Sequence, residues 1–386
     1  MRRIVSLGEA IELNPSVKLP KGQRTRFVSM DRLQPFTKQI TGCEERVFSG
    51  GSKFQNNDTL LARITPCLEN GKTAFVDFLE TDEIAAGSTE FLVLRAKLNI
   101  TDPQFVFYLS ISPEFRKYAI QSMVGTSGRQ RVQNDSLAKF ELELPDLIDQ
   151  RRIGQFLCWL DEKIGINRKL NKTLEQMGQA LFRHYFISSP EVEQWEEIKI
   201  GELVNIKGGG TPSTKNPDFW DGSIAWTSPR DLTGRDEPFL LATGKTITNA
   251  GLAKISSGLL PEGTLLLSSR APIGYVAIAA MPLAINQGYI AFLPSGALSN
   301  FYMYFWLKQN MDRVKGSANG STFMEISKSA FRNITTRRPA NAALNDFNAV
   351  VAPLFDEFRN NQEEIRTLTT LRDSILPRLI VGKVKI

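Results

Sequence analysis

Pro145 and Pro339 open two stretches that repeat each other 194 residues apart in this 386-residue chain, and that duplication constrains the fold more than any other feature. In the first copy the periodic positions advance by four, three, four, three: Ile153, Leu157, Leu160, Ile164, Asn167, Asn171 and Leu174, then a blank at Gly178 before Leu181. The second copy keeps step with Phe347, Val351, Leu354, Phe358, Asn361, Ile365 and Leu368, reaching Ile375. A 3.5-residue period held for about four heptads marks helices wound along a narrow seam, each knob filling a hole on its neighbour. Two amphipathic helices lying on separate cores are the plainer alternative. A Pro before each stretch sets an N-terminal boundary, and about 40 residues at 1.5 Å each give stems roughly 60 Å long. Asn167 and Asn361 share one seam position, where a buried amide would penalise wrong registers; a partly solvated stretch would read the same.

The segments before the stems differ in character: short β-branched and aromatic runs broken by Gly, Pro, Asn and Asp, as in mixed α/β folds rich in loops. The order is therefore head (1–144), stem (145–190), head (191–338), stem (339–386). Faint matches tie the heads together. Asp58-Thr59-Leu60-Leu61-Ala62-Arg63 parallels Gly263-Thr264-Leu265-Leu266-Leu267-Ser268-Ser269-Arg270, each a strand ending in a basic turn followed by Pro and Gly. Gly125-Thr126-Ser127-Gly128 likewise parallels Gly316-Ser317-Ala318-Asn319-Gly320-Ser321-Thr322. If the stems pack, connectivity makes them antiparallel. The expectation is an α+β chain with two mixed α/β heads separated by a long antiparallel two-helix coiled coil, with pseudo-two-fold internal symmetry.

With 42% hydrophobic residues and no apolar run near the roughly 18 needed to span a bilayer, a membrane protein is not expected. After Met1-Arg2-Arg3, Glu9 and Glu12 arrive before any stretch long enough for a signal peptide, and Cys43, Cys67 and Cys158 are too scattered for a disulfide framework or a metal knuckle. A cytoplasmic location is expected. The formal charge of +6 favours a polyanionic partner, mildly for a chain this long.

Two heads related by a two-fold axis can each face a duplex that looks alike from both strands, and unlike heads would read unlike half-sites around an unread spacer. Lys and Arg on phosphates give sequence-blind attraction, whereas Arg on guanine and Asn or Gln on adenine tell bases apart. The candidates in the first head are Lys53, Gln55, Arg63, Arg129, Gln130 and Arg131; a solvated surface loop is the bland alternative. Those in the second head are Lys207, Lys215, Arg230, Arg270, Asn286, Gln287, Asn319 and Ser321.

Leu144-Pro145-Asp146-Leu147-Ile148-Asp149-Gln150-Arg151-Arg152-Ile153, followed by Leu160-Asp161-Glu162-Lys163-Ile164, resembles the central conserved helix of type I restriction-modification specificity subunits. So do Asn171-Lys172-Thr173-Leu174-Glu175 and Leu181-Phe182-Arg183-His184-Tyr185-Phe186, while Gly208-Gly209-Gly210-Thr211-Pro212-Ser213 and Trp220-Asp221-Gly222-Ser223-Ile224-Ala225-Trp226 look like a target-recognition domain of that family. The resemblance covers essentially the whole chain and is weaker in the first head and the last stem. It implies a non-catalytic DNA-reading subunit assembled with two methyltransferase subunits and, for cleavage, two motor-nuclease subunits. S-adenosylmethionine, ATP and magnesium would serve those partners, and no cofactor is expected in this chain.

The residues give enzyme readings little footing. Asn216-Pro217-Asp218-Phe219 lacks the second Pro of an amino-methyltransferase loop, and Phe48-Ser49-Gly50-Gly51-Ser52 stops one glycine short of a cofactor loop. The glycine triplet at 208–210 lacks the Lys-Ser/Thr of a phosphate loop. Glu197-Ile198-Lys199 has nuclease spacing without a convincing distant Asp, and His184 is the chain's one histidine. Phe323, Met324 and Phe331 are expected in the core. Two rivals stay open: a coiled scaffold whose heads bind peptides, and an autonomous nuclease or methyltransferase with unrecognised motifs.

Overall fold

The computed structural model describes residues 2–126, 128–235, 237–320 and 324–384. Its contacts divide the chain into two compact units, Met1–Ile166 with Ile365–Ile386, and Asn167–Glu364. Each unit therefore holds one head and one half of each stem.

In the first unit a sheet runs in the order Ile11–Leu13, Phe91–Ala96, Thr59–Ala62, Thr73–Phe75, all antiparallel. A second runs Glu44–Val47, Arg24–Val28, Ala85–Gly87, Ser52–Phe54, with a parallel pair at its centre. Thr59–Ala62 is buried throughout, as a strand covered on both faces must be. Above it lies the helix Pro103–Ile111, started by the Asp102 carboxylate accepting from Phe105 N and by Pro at its first position. Its Phe105, Val106, Phe107, Tyr108 and Leu109 are all buried, so it is apolar all round and wedged between sheet and stem.

The second unit repeats this plan. Ile206–Gly208, Tyr289–Phe292, Leu265–Ser268 and Val276–Ala279 stand in the same order, with Phe239–Leu240 added at the edge. Trp220–Thr227 and Ala284–Ile285 make the matching parallel pair, and the wedged helix is Asn300–Gln309, capped by Ser299. Each head is closed by a strand from its start pairing with one just before its stem: Arg3–Ser6 with Glu141–Leu144, and Glu197–Lys199 with Thr335–Arg337.

The stems are single helices, Leu147–Phe186 and Asn341–Ile380, 40 residues each. Buried Gln150 ties the first one down, donating to the carbonyls of Pro145 and Ile100 and accepting from Asp102 N. In the first unit Ile153 and Leu157 share a core with Leu376, Leu379 and Ile380; in the second, Phe182 and Phe186 share one with Phe347, Val351 and Phe355. The start of one stem lies against the end of the other in both, so the packing is antiparallel. Arg2 donates to the carbonyls of Leu379 and Ile380, satisfying the open end of the second stem.

The buried stripe is wider than the narrow seam. Ile153, Leu157, Ile164, Phe347, Val351 and Phe358 are buried, but Leu160, Leu174, Leu354 and Leu368 are half-buried, while Cys158, Asp161, Phe182, Phe355 and Leu379 are buried beside them. The reason is the wedged helix: each stem half faces both its partner stem and a head helix, and two neighbours bury a broader arc than one. Asn167 is buried and donates to Glu364 at 2.7 Å; Asn361 and Asn171 are buried too. Met324, expected in the core, is 49% exposed, because its segment forms a surface bridge with Asn319; Phe331 is fully buried and Phe323 falls outside the described residues. Among the described residues no helix is long and apolar enough to cross a membrane.

The blank at Gly178 has a structural cause: a side chain there would run into the buried Phe305 ring. Alanine in a helix interior is favoured over glycine by about 1 kcal/mol, whereas forcing a methyl into a filled core costs about 1–3 kcal/mol. Gly178→Ala is therefore expected to lower stability despite the better helix former, read as a lower urea midpoint with unchanged slope.

Candidate nucleic-acid interface

In the first head the chain leaves the buried strand Thr59–Ala62 at Arg63 and meets the turn 128–131 through a backbone bridge between Ile64 and Arg131, with Val132 N donating to Arg63 O. This gathers Arg63, Gln130 and Arg131. Arg63 donates to Val132 O at 2.9 Å, while its Nε is buried without a partner. Arg131 makes a two-pronged contact with Glu90 at 2.6–3.0 Å, and that hydrogen-bonded guanidinium holds the Glu90 carboxyl below its ordinary range. Arg129 is exposed on the same turn. Lys53 sits on the other sheet, its ammonium on Val17 O and over the Phe48 ring, and Gln55 opens a tight turn whose N–H donates to Asp58.

The second head presents a matching edge of loops. Gly209 passes so close to Ile285 O that no side chain fits, and Gly210 N donates to that carbonyl. This seats the 209–212 loop on the 285–288 loop, where Thr211 donates to Gln287 at 2.6 Å and the Asn286 side chain accepts from Gly288 N. Ser269 N donates to Gly288 O, joining the Arg270 turn to the same edge. Arg270 bridges through its backbone to Glu325, which also bridges to Asn319, and its guanidinium lies 3.6 Å from the Glu325 carboxylate. Arg230 and Lys215 are exposed on neighbouring loops, whereas Lys207 points at Ser257 O. Ser321 lies outside the described residues. The edge thus collects Arg270, Asn286, Gln287 and Asn319, while Lys207 stands on the strand Ile206–Gly208 paired to Tyr289–Phe292.

The sequence reading missed Glu90 and Glu325, the carboxylates that hold the arginines, because each lies dozens of residues from its partner. It also missed two cation–aromatic pairs, Lys245 over the Trp220 ring at 5.1 Å on the small second sheet and Lys254 over Phe219 at 5.8 Å beside it. The tryptophan spacing was the available signal. The heads use one backbone frame with the charges exchanged: the residue bridged to the turn after the strand is Arg131 in one and Glu325 in the other.

An architecture of two unlike recognition heads on one repeated plan, joined by paired helices and presenting basic loop edges, is that of a DNA specificity subunit. The sequence pattern of the type I restriction modification DNA specificity domain matches residues 44–176 and 192–342, and the chain belongs to that family. The specificity subunit of the HindI type I restriction enzyme of Haemophilus influenzae is 25% identical, spanning 86% of this chain and 87% of its own length. That of MjaIX from Methanocaldococcus jannaschii is 33% identical over 45% of this chain and 40% of its own. A solved type I S subunit from M. genitalium shares the fold, with a TM-score of 0.62, 14% identity and coverage of 98% and 96%. The chain is a specificity subunit: it recognises DNA sequence and is not itself catalytic.

Because Glu90 ionises below its ordinary pKa in the folded chain, its pairing with Arg131 is present at neutral pH and is lost only as pH falls through that lowered value. Glu90→Gln at pH 7 should free Arg131 and raise affinity for DNA of any sequence; Arg131→Ala should weaken binding to the true target by about tenfold or more. Fluorescence anisotropy with specific and random duplexes reads both, and unchanged affinities in both variants would remove Arg131 from the interface.

Proposed function

We propose that the chain reads a bipartite, asymmetric target in double-stranded DNA, one half-site per head, and serves as the platform for methyltransferase and motor-nuclease subunits. One observation carries the two-half-site reading: the heads share strand order and turn geometry, yet set opposite charges at the equivalent bridge, Arg131 beside Ile64 and Glu325 beside Arg270. Equal frames with unequal edge chemistry suit unequal base sequences. In the first head Arg63, Arg129, Gln130 and Arg131 are the readers, with Lys53 and Gln55 at the flank. In the second, Arg270, Asn286, Gln287, Asn319 and Ser321 read, while Lys207, Lys215 and Arg230 hold backbone phosphates.

The platform role rests on the first stem. Trp159, Ile166, Leu170 and Met177 follow one another at spacings of seven, four and seven, which places them on one helix face, and all four are exposed, Trp159 by 60%. An apolar helix face takes another helix, and a helical segment of a methyltransferase subunit is the occupant assigned here. S-adenosylmethionine, ATP and magnesium then belong to the partner subunits, and the assembly works in the cytoplasm, where the free thiols of Cys43 and Cys67 stay reduced.

Affinity of the chain for its target should fall steeply and linearly on a log–log plot against salt; a flat response would favour peptide-binding heads. Purified chain with DNA, magnesium and S-adenosylmethionine should neither cut nor methylate, and turnover by the chain alone would defeat the reading. Exchanging residues 191–338 for another head should rewrite one half of the target, as mapped by the adenines methylated in the assembled complex. Paired Trp159→Glu and Ile166→Glu changes should abolish co-purification with the methyltransferase subunit while leaving the melting temperature within a few degrees.

A further inference from the structure

The two copies of the stem differ sharply at one buried place. In the first unit Arg372 Nη1 lies 2.6 Å from Asp161 Oδ1, and the Tyr108 hydroxyl donates to Asp161 Oδ2 at 2.7 Å. All three side chains are buried, and burial, with the Asp161 charge beside it, pushes the Tyr108 phenol well above its ordinary pKa, keeping it a donor. Arg372 also reaches exposed Asp373 at 2.8 Å. A step of 194 residues converts Asp161 into Phe355 and Arg372 into Gly178; counting from the helix caps Asp102 and Ser299 converts Tyr108 into Phe305. In the second unit those residues meet as well: the Phe305 and Phe355 rings stand edge to face at 5.7 Å, and Phe305 fills the space above Gly178. An ion pair with a hydroxyl and two rings over a glycine occupy equivalent places.

Stability alone does not call for the ion pair. Apolar residues of similar volume hold such a place equally well or better, and the second unit shows that an apolar set fits this architecture. What a buried pair adds is discrimination, because a stem that brings only one of its members leaves a charge buried alone. The repeat creates the need for it. Both stems carry the same heptad pattern, so a second copy of the chain offers each stem a near-equivalent partner in its own likeness. Antiparallel pairing of the first stem with another first stem would set Asp161 and Tyr108 against Gly178, without the Arg372 guanidinium, leaving Lys38, on Cys158 and over the Tyr108 ring, as the buried cation of that head. Pairing of the second stem with another second stem would bury Arg372 among the phenylalanines, without Asp161 and with only the exposed Asp373 of its own stem. We propose that Asp161, Arg372 and Tyr108 form a pairing selector that confines each stem to the unlike stem and excludes like-with-like association between two copies of this chain. Each stranded charge disfavours the wrong pair on the order of a hundredfold or more.

The test refolds full-length chains carrying light and heavy isotopes together, then applies an amine cross-linker and reads mixed-isotope links by mass spectrometry. Lys163, Lys169 and Lys172 are exposed on the first stem and report its neighbours. Wild type should give no mixed link between two first stems. The variant carrying the second unit's set, Tyr108→Phe, Asp161→Phe and Arg372→Gly, should give such links, rising with concentration. Should that set fail to fold, Tyr108→Phe, Asp161→Leu and Arg372→Met, closer in volume, takes its place with the same expectation. The reversed pair, Asp161→Arg with Arg372→Asp, should exclude like-with-like links as wild type does. Mixed first-stem links in wild type, or apolar variants that exclude them as strictly as wild type, would overturn the proposal.

Discussion

The structure depends on burying two 40-residue helices that are each too long for a single small core. Each stem is divided, one half finishing the core of the first unit and the other half finishing that of the second. The head helix Pro103–Ile111 buries its outer face only because Leu157 and Leu379 cover it, and Asn300–Gln309 is covered in the same way by Phe182, Phe347 and Phe355. Neither head has a complete core without both stems. Their antiparallel contact is therefore a condition of folding for the whole chain, and a change at the stem reaches the heads through shared packing.

Much of this was legible in the sequence, for a physical reason. A duplicated heptad pattern survives loss of identity because it needs only the apolar character of a position, and so the antiparallel stems and repeated heads could be read off the 194-residue step. The width of the buried stripe could not. Cys158, Asp161, Phe182 and Phe355 lie off the 3.5-residue seam, and they are buried by head helices whose approach no local period records. Arg372 shows the limit most clearly: it falls on the blank position of the second copy, reads as a solvated charge, and is 4% exposed because Asp161, 211 residues away in sequence, meets it.

The loops of the candidate interface were visible in the sequence by residue type and not by arrangement. Arg-Gln-Arg after a glycine turn and Arg270 before a proline were visible as basic loops, and the structure joins the first to Arg63 and the second to Asn319, Asn286 and Gln287 through backbone bridges. Their anchoring was invisible, since Glu90 and Glu325 reach the arginines only once the sheets have formed. Lys207, just before the glycine triplet, is exposed, and its ammonium donates to the Ser257 carbonyl at 3.3 Å, a contact that no local pattern records.

Arginines held by carboxylates suit a protein that must choose among sequences. A free guanidinium gains from any phosphate and so raises affinity everywhere, the background against which specificity is measured. Arg131, gripped at two points by Glu90, already has its planar fork satisfied. On the proposed reading, leaving that partner is favourable only where a guanine edge offers the same two-pronged geometry, and unfavourable at a mismatched base, which offers fewer bonds than the carboxylate it replaces. The exposed pair adds little to folding, because water screens it. On the proposed reading its effect falls on the difference between right and wrong DNA. In the second head Glu325, on the opposite segment, lies 3.6 Å from the Arg270 guanidinium, and on the same proposed reading the two heads differ in the bases they accept.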